Sequence, residues 1–220
     1  MSQKTKRITF SAVMMAVSAV LYSVSNMIPF LNLPFGGTIT LASLLPIVLV
    51  AYIYGMKWGF FTAFSYSLLR IALSLVEGTS SAVAALFLPG SDFTAVQAFL
   101  IVFLDYICAY SVLFVGGIFR KMKSRAAALA AGTALALLVC WFFHTLSGAI
   151  FYGEWAEWFF TETAFSSLGI GKAIMAHGGA ALPWIYSAVY NACYMLPETV
   201  ISVVCAVVVS GLTQISAKTE

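Results

Sequence analysis

The chain has 220 residues, of which 62% are hydrophobic and only 9% charged, and its formal net charge is +3. A soluble domain has about a quarter of its residues charged, so this composition excludes an ordinary soluble protein and indicates an all-α integral membrane protein. At about 20 residues per crossing, the length allows six transmembrane helices and leaves no room for a separate catalytic domain.

Apolar stretches separated by polar or Gly/Pro-containing segments predict six transmembrane helices in one membrane domain, residues 1–220. In chain order the helices are predicted at about residues 8–30, 41–54, 58–76, 95–119, 126–152 and 182–212. Three connections, residues 31–40, 77–94 and 154–181, are then expected on the same side of the membrane.

Basic residues are concentrated on the opposite side from these three connections. They are Lys4, Lys6, Arg7, Lys57, Arg120, Lys121, Lys123, Arg125 and Lys218. The three connections themselves hold one basic residue, Lys172. Because loops rich in Lys and Arg stay in the cytoplasm, this distribution predicts cytoplasmic N- and C-termini and outward-facing loops.

Four ionisable residues lie within the predicted spans: Arg70, Asp105, His144 and Glu198. A charge at the bilayer centre costs about 2.5–3.5 kcal/mol on insertion scales, so such residues usually face a cavity, a partner charge or a ligand. Counted at about 1.5 Å per helical residue, the first three lie at a similar depth below the outer surface. This predicts an outward-facing cavity. The structural alternatives are an ion pair between Asp105 and Arg70 and an interhelical hydrogen bond by His144.

The last predicted helix carries a polar and aromatic stripe. Tyr186, Tyr190, Tyr194 and Glu198 recur every four residues, with Asn191 beside them, so they share one helix face. Such a stripe also occurs on packed or interfacial surfaces. Beside Asp105 it would suit a flat aromatic cation, because tyrosine rings stack on aromatic ligands and attract positive charge.

No catalytic signature accompanies these residues. The sequence has no HExxH or GxSxG motif, and its four cysteines all lie in apolar stretches without metal-ligand spacing. We therefore expect neither an enzyme nor a metal or other cofactor, and no nucleic-acid partner.

Four motifs in the chain resemble those of the ThiT (YuaJ) family, the thiamine-specific S components of energy-coupling factor (ECF) transporters. They are GGTIT…LLPI (Gly36–Ile47), FLDYICAY (Phe103–Tyr110), FFHTLSGAIFYG (Phe142–Gly153) and PWIYSAVYNACYMLP (Pro183–Pro197). The resemblance implies a six-helix protein of the bacterial plasma membrane that captures thiamine from outside with high affinity. It would deliver thiamine after docking on a module of one transmembrane subunit and two ATPases.

The resemblance also implies roles for individual residues. Those expected to bind the ligand are Asp105, Tyr106, His144, Tyr152, Tyr186, Asn191 and, by a weaker alignment, Tyr66, with Trp184 as an additional stacking ring. In this scheme Asp105 lies near the thiazolium charge, and the histidine and asparagine hydrogen-bond the ends of the ligand. Ala12 and Ala16 match the family's AxxxA surface, which contacts the energy-coupling module.

One position departs from the family pattern. Leu41 stands where some members have a second glutamate, at the start of the second helix. Two alternatives stay open: an S component for another vitamin or a thiamine precursor, and a proton-coupled secondary carrier with Asp105, His144 and Glu198 as its relay.

Overall fold

A computed structural model describes residues 2–33, 37–76, 82–167 and 169–212. Across these ranges the regular elements are helices, and the only β pairing in them is one isolated bridge between Asn32 and Thr38. Gly36 of the first family motif, residues 77–81 of the second predicted loop and Lys218 lie outside the described residues. The expectation of an all-α protein is confirmed for the described part of the chain.

Ten helices are numbered here in chain order. They are α1 Gln3–Asn26, α2 Leu45–Tyr54, α3 Met56–Val76, α4 Ala82–Phe87, α5 Ala95–Gly117, α6 Arg125–Phe151, α7 Ala156–Glu162, α8 Ala164–Ser167, α9 Ile170–His177 and α10 Leu182–Ser210. Short 3₁₀ turns at Pro29–Leu31, Gly153–Trp155 and Gly179–Ala181 precede or follow them.

Five of these helices, α1, α3, α5, α6 and α10, are long and apolar enough to cross a membrane. Their outward faces carry large apolar side chains such as Val20, Phe61 and Val208, which are 61%, 66% and 71% exposed. An exposed apolar surface of this kind is unfavourable in water and favourable against lipid. The protein therefore has the architecture of an integral membrane protein.

Helix α2 differs from the five long helices, because all ten of its residues are buried. It begins at Leu45, later than the predicted start at residue 41, since the chain turns at Ala42 with a positive φ of 59°. Ten residues rise only about 15 Å, half of the roughly 30 Å hydrocarbon layer. Helix α2 is a central core element that packs against α1, α3, α5 and α6.

Helix α5 is not a regular α-helix along its length. It starts with a capping box, in which Thr94 and Gln97 satisfy each other's backbone N–H groups. It continues through a π-helical turn at Phe103–Cys108 and finishes in a 3₁₀ segment, Val112–Gly117. Turns of π-helix inside α-helices are frequent at functional sites, and this one contains Asp105.

Glycines allow the longest helices to approach one another closely. A Cβ atom on Gly132 of α6 would lie 2.2 Å from the carbonyl oxygen of Gly116 in α5. A Cβ atom on Gly148 of α6 would lie 2.2 Å from the hydroxyl of Ser187 in α10. Small residues have this role at helix interfaces within membranes. The second contact brings the polar faces of α6 and α10 together.

Candidate ligand-binding cavity

A cavity of about 600 Å³ lies at one end of the helix bundle. The later turns of α1, α3 and α6, the middle of α5, the first half of α10, α4 and the segment between α1 and α2 contribute its walls. Small-molecule sites are typically about 300–1,000 Å³. The cavity lies at the opposite end of the bundle from the N-terminus and the basic segment 120–125.

Seven of the residues proposed from the sequence to bind a ligand line this one cavity. They are Tyr66, Asp105, Tyr106, His144, Tyr152, Tyr186 and Asn191. Trp184 was also expected to line the cavity, but it does not, and it is 48% exposed. Trp184 precedes Tyr186 by two positions, and this offset corresponds to a rotation of about 200° around a helix with 3.6 residues per turn. Trp184 therefore faces away from the tyrosine stripe.

Asp105 is held by two side chains of α6. The His144 Nδ1–H group donates to Asp105 Oδ1 over 2.8 Å, and the Ser147 hydroxyl donates to Oδ2 over 2.6 Å. Asp105 lies in the π-helical turn of α5, and its two hydrogen bonds join this turn to α6. Both carboxylate oxygens accept a hydrogen bond and keep further lone pairs for a ligand. Of the two structural alternatives, the interhelical hydrogen bond of His144 is therefore present, whereas the ion pair between Asp105 and Arg70 is not formed.

The α10 stripe forms an aromatic wall of the cavity. Tyr186, Tyr190 and Tyr194 follow one another with ring centroids 6.0 and 6.1 Å apart, and all three line the cavity. The ring of His144 lies 6.1 Å from that of Tyr194, so imidazole and phenol rings are continuous around the site. Such a wall is suited to stacking on a flat ligand.

Most of the hydrogen-bonding groups of the Asn191 side-chain amide are paired within α10. Its Nδ2 group donates to the Ser187 carbonyl oxygen over 2.8 Å and lies 3.2 Å from the Ser187 hydroxyl. Its Oδ1 atom accepts a hydrogen bond from the hydroxyl of Tyr194. The amide therefore orients its neighbours on the stripe, and the remaining lone pair of Oδ1 is available at the cavity wall.

Two connections cover the first turns of α10. In the segment before α2, the Gly37 N–H donates to the Tyr190 hydroxyl over 3.2 Å. In the long connection, Phe159 of α7 lies edge-on to Tyr186 and Tyr190, with ring centroids 5.3 and 5.9 Å away. Phe159 is buried in this contact. The connection predicted at residues 154–181 therefore contains short helices that pack on the tyrosine wall.

Arg70 and Tyr66 of α3 line the opposite wall. The guanidinium carbon of Arg70 lies 3.2 Å from the ring centroid of Tyr22 in α1 and 5.6 Å from that of Tyr110 in α5. Tyr66 is fully buried beside Tyr110. A cationic side chain with aromatic faces on two sides is stabilised electrostatically by those rings.

Glu198 is a second carboxylate in the cavity lining. It accepts hydrogen bonds from the Thr40 hydroxyl (2.5 Å) and the Ser202 hydroxyl (3.2 Å), and is only 2% exposed. This contact brings an acid of α10 next to Leu41, the position without the family's second glutamate. The hydrogen bonds of the described residues do not connect Glu198 with Arg70 or with the Asp105–His144 pair.

Ala12 and Ala16 lie on the exposed face of α1. The opposite face of that helix is buried through Ser11, Ser18 and Ser25. Within the part of the chain that the structure describes, the two alanines are therefore not used for packing, and the surface around them is free for lipid or a partner.

Several lining residues were not singled out for ligand binding from the sequence. They include Tyr22, Ser43, Tyr110 and Ser187. Tyr190 and Tyr194, which also line the cavity, belong to the stripe that the four-residue spacing along α10 predicted. Ser147, the partner of Asp105, follows His144 by three residues on the same helix face. The described residues include no group of three potential metal ligands.

The fold and the site together define a helical membrane protein with a cavity for a small molecule. The family model described as Thiamine transporter protein (Thia_YuaJ) matches residues 8–177, so the chain belongs to this family. The chain is also 27% identical over 217 residues to the thiamine transporter ThiT of Bacillus subtilis (strain 168), covering 94% of this chain and 90% of that protein. The resemblance drawn from the sequence motifs is confirmed.

Proposed function

We propose that this chain is the thiamine-binding S component of an ECF-type importer in a bacterial plasma membrane. It would capture thiamine from outside with high affinity. It would release thiamine inward after docking on a module of one transmembrane subunit and two ATPases. Family membership and the thiamine transporter of Bacillus subtilis support thiamine as the ligand.

The proposed orientation has six crossings, with α2 and the turn before it as the second, and both termini in the cytoplasm. The distribution of charge supports it, because Lys57, the basic residues of the N-terminal segment and those of segment 120–125 lie at the end of the bundle away from the cavity. The cavity would then face the extracellular side. Ala12 and Ala16 would lie toward the cytoplasmic half of α1, where a coupling module that contacts cytoplasmic ATPases can reach them.

The observation that carries the proposal is the Asp105 carboxylate in a cavity walled by tyrosines. Thiamine joins a cationic thiazolium ring to a neutral aminopyrimidine. Asp105 would neutralise the thiazolium, while Tyr106, Tyr152 and Tyr186 stack against the rings.

Two further groups complete the proposed contacts. His144 and Asn191 would hydrogen-bond the polar ends of thiamine. Both also orient neighbours in the structure: His144 donates to Asp105, and Asn191 accepts from Tyr194. We expect substitution of His144 or Asn191 to weaken thiamine binding in two ways. It removes a hydrogen bond to the ligand, and it removes the hydrogen bond that orients Asp105 or Tyr194.

Calorimetric titration of the purified protein with thiamine tests the proposal. Heat is the appropriate signal, because none of the cavity-lining residues is a tryptophan. We expect saturable binding at submicromolar thiamine. Absence of such binding, or clearly tighter binding of another vitamin or of a thiamine precursor in competition, would refute thiamine as the ligand.

Transport in liposomes tests the partnership. We expect thiamine uptake only when the energy-coupling module and ATP are both present. Uptake by this chain alone would instead identify a secondary carrier. The described hydrogen bonds give no support to that alternative, because they do not join Glu198 to the Asp105–His144 pair.

A further inference from the structure

An apolar groove lies on the outer surface of the bundle between α3 and α5, at the end of the molecule away from the ligand cavity. It has a volume of about 450 Å³. The groove is lined by Met56, Lys57, Phe60, Phe61 and Phe114. Four of these side chains are apolar and one is a cation. None of them belongs to the proposed thiamine contacts.

Phenylalanine rings give the groove its shape. The ring of Phe60 meets those of Phe61 and Phe114 edge-on, with centroids 5.8 and 5.6 Å away. It also stacks on Phe64, one turn further along α3, at 6.2 Å. Phe60 and Phe61 are nevertheless 41% and 66% exposed. These mutual ring contacts hold an exposed apolar groove open, and from Lys57 to Phe64 it follows α3 for about 10 Å.

Lys57 marks the end of the groove at which the bundle carries its basic residues. It is exposed in the first turn of α3. Arg120, the first residue of the basic segment 120–125, donates to the carbonyl oxygens of Tyr52 and Ile53 at the end of α2. No carboxylate within the described ranges pairs with Lys57. A cation at the end of an aromatic groove complements a molecule with an anionic head and an apolar chain.

The groove is also separate from the surface around Ala12 and Ala16. Trp58 of α3 faces α1, because its Nε1–H group donates to the Ser11 hydroxyl over 2.9 Å. Lys57 precedes Trp58 by one position, which corresponds to a rotation of about 100° around the helix. Lys57 therefore lies on a different side of α3, toward α5.

We propose that this groove binds one anionic phospholipid, with an acyl chain along the phenylalanine rings and the phosphate beside Lys57. Any lipid can cover the rings, but a lipid with a net negative charge also gains from the lysine. Lysine suits this position, because its aliphatic stem can lie on apolar surface while the ammonium group reaches the headgroups. A zwitterionic lipid carries its own cation and gains less. The inference does not depend on thiamine as the ligand of the cavity.

Native mass spectrometry of the purified full chain tests this site. The protein is released from detergent with an equimolar mixture of phosphatidylglycerol and phosphatidylcholine that have the same acyl chains. We expect the first bound lipid to be phosphatidylglycerol, with a preference of about fivefold, as one basic residue at an anionic membrane surface predicts. Equal binding of the two lipids would overturn the inference.

Three variants separate this site from a general attraction of anionic lipid to basic residues. We expect Lys57→Gln to remove the preference for phosphatidylglycerol. Lys121→Gln is the matched control, because Lys121 is exposed at the same end of the bundle but does not line the groove, and it should keep the preference. Phe61→Ala should weaken the binding of both lipids, since it removes apolar contact area. Equal losses of the preference in Lys57→Gln and Lys121→Gln would refute a site in the groove.

The same spectra distinguish the lipid from other occupants of the groove. We expect glycerol 3-phosphate, which has the phosphate but no acyl chains, not to displace the lipid; displacement would show that the apolar groove is not used. Dimers of the chain without bound lipid would instead identify a second copy as the occupant and overturn the proposal. Lys57 and Phe61 are exposed, so we expect both variants to fold, and the competition on the unmodified protein decides the matter if either does not.

Discussion

Replacing Asp105 with asparagine removes one negative charge from the cavity while keeping the size and shape of the side chain. In the structure the carboxylate accepts hydrogen bonds from His144 and Ser147 over 2.8 and 2.6 Å. An asparagine can accept the bond from His144 with its oxygen and donate its amide N–H to the Ser147 hydroxyl, which can also act as an acceptor. The principal change is therefore the loss of charge facing a cationic ring.

The size of the effect follows from the electrostatics of a partly buried pair. Two unit charges about 4 Å apart interact by about 4 kcal/mol at an effective dielectric constant of about 20. The carboxylate must lose some hydration to bind the ligand, so we expect a net loss of about 2–4 kcal/mol. This corresponds to thiamine affinity that is weaker by about 30-fold to 700-fold.

The assay is calorimetric titration of Asp105→Asn with thiamine and with an uncharged aminopyrimidine that lacks the thiazolium ring. Only the affinity for thiamine should fall by this factor, and the affinity for the aminopyrimidine should not. Asp92→Asn is the matched control, because Asp92 is exposed just before α5 and undergoes the same chemical change. Unchanged thiamine affinity in Asp105→Asn, with the fold intact by thermal melting, would refute the assignment of the thiazolium to this carboxylate.

Three other variants test the helix contacts around the cavity and the proposed docking face of α1. Gly148→Ala should lower the free energy of unfolding by about 1–3 kcal/mol in thermal melts, because the new Cβ would meet the Ser187 hydroxyl at 2.2 Å; an unchanged melt would show that α6 and α10 can separate freely. Phe159→Ala should speed thiamine release by about tenfold in stopped-flow exchange, and an unchanged rate would show that α7 does not cover the site. Ala12→Trp with Ala16→Trp should leave calorimetric thiamine binding unchanged and abolish uptake with the coupling module, whereas full uptake would exclude this face as the docking surface.

The position of the cavity could be anticipated because burial of charge in a membrane is expensive. Asp105 and His144 come from different helices but lie at similar depth, and the structure joins them directly. The four-residue repeat on α10 likewise placed Tyr186 and Asn191 on one wall. The depth of a residue along its helix was sufficient for the first prediction, and the helical period was sufficient for the second. Neither quantity depends on how the helices are rotated against one another.

Other features depended on details of the backbone that a hydropathy pattern does not contain. The predicted second helix begins at Leu45 because the chain turns at Ala42, although only Ser43 interrupts the apolar residues of the segment 41–54. The connection 154–181 contains three short helices, whose packing on α10 uses Phe159. Trp184 faces away from the cavity because its rotation about α10 differs from that of Tyr186.

By itself the sequence determined the class of protein: apolar stretches long enough to cross a bilayer predict helices, because only internally hydrogen-bonded backbone is stable in lipid. Its motifs also indicated the family to which the chain belongs. Tertiary structure decided the partners of the buried charges. Asp105 bonds His144 and Ser147, Glu198 bonds Thr40 and Ser202, and Arg70 lies on a tyrosine ring. These pairings depend on the rotation and crossing of whole helices, to which every packed side chain contributes.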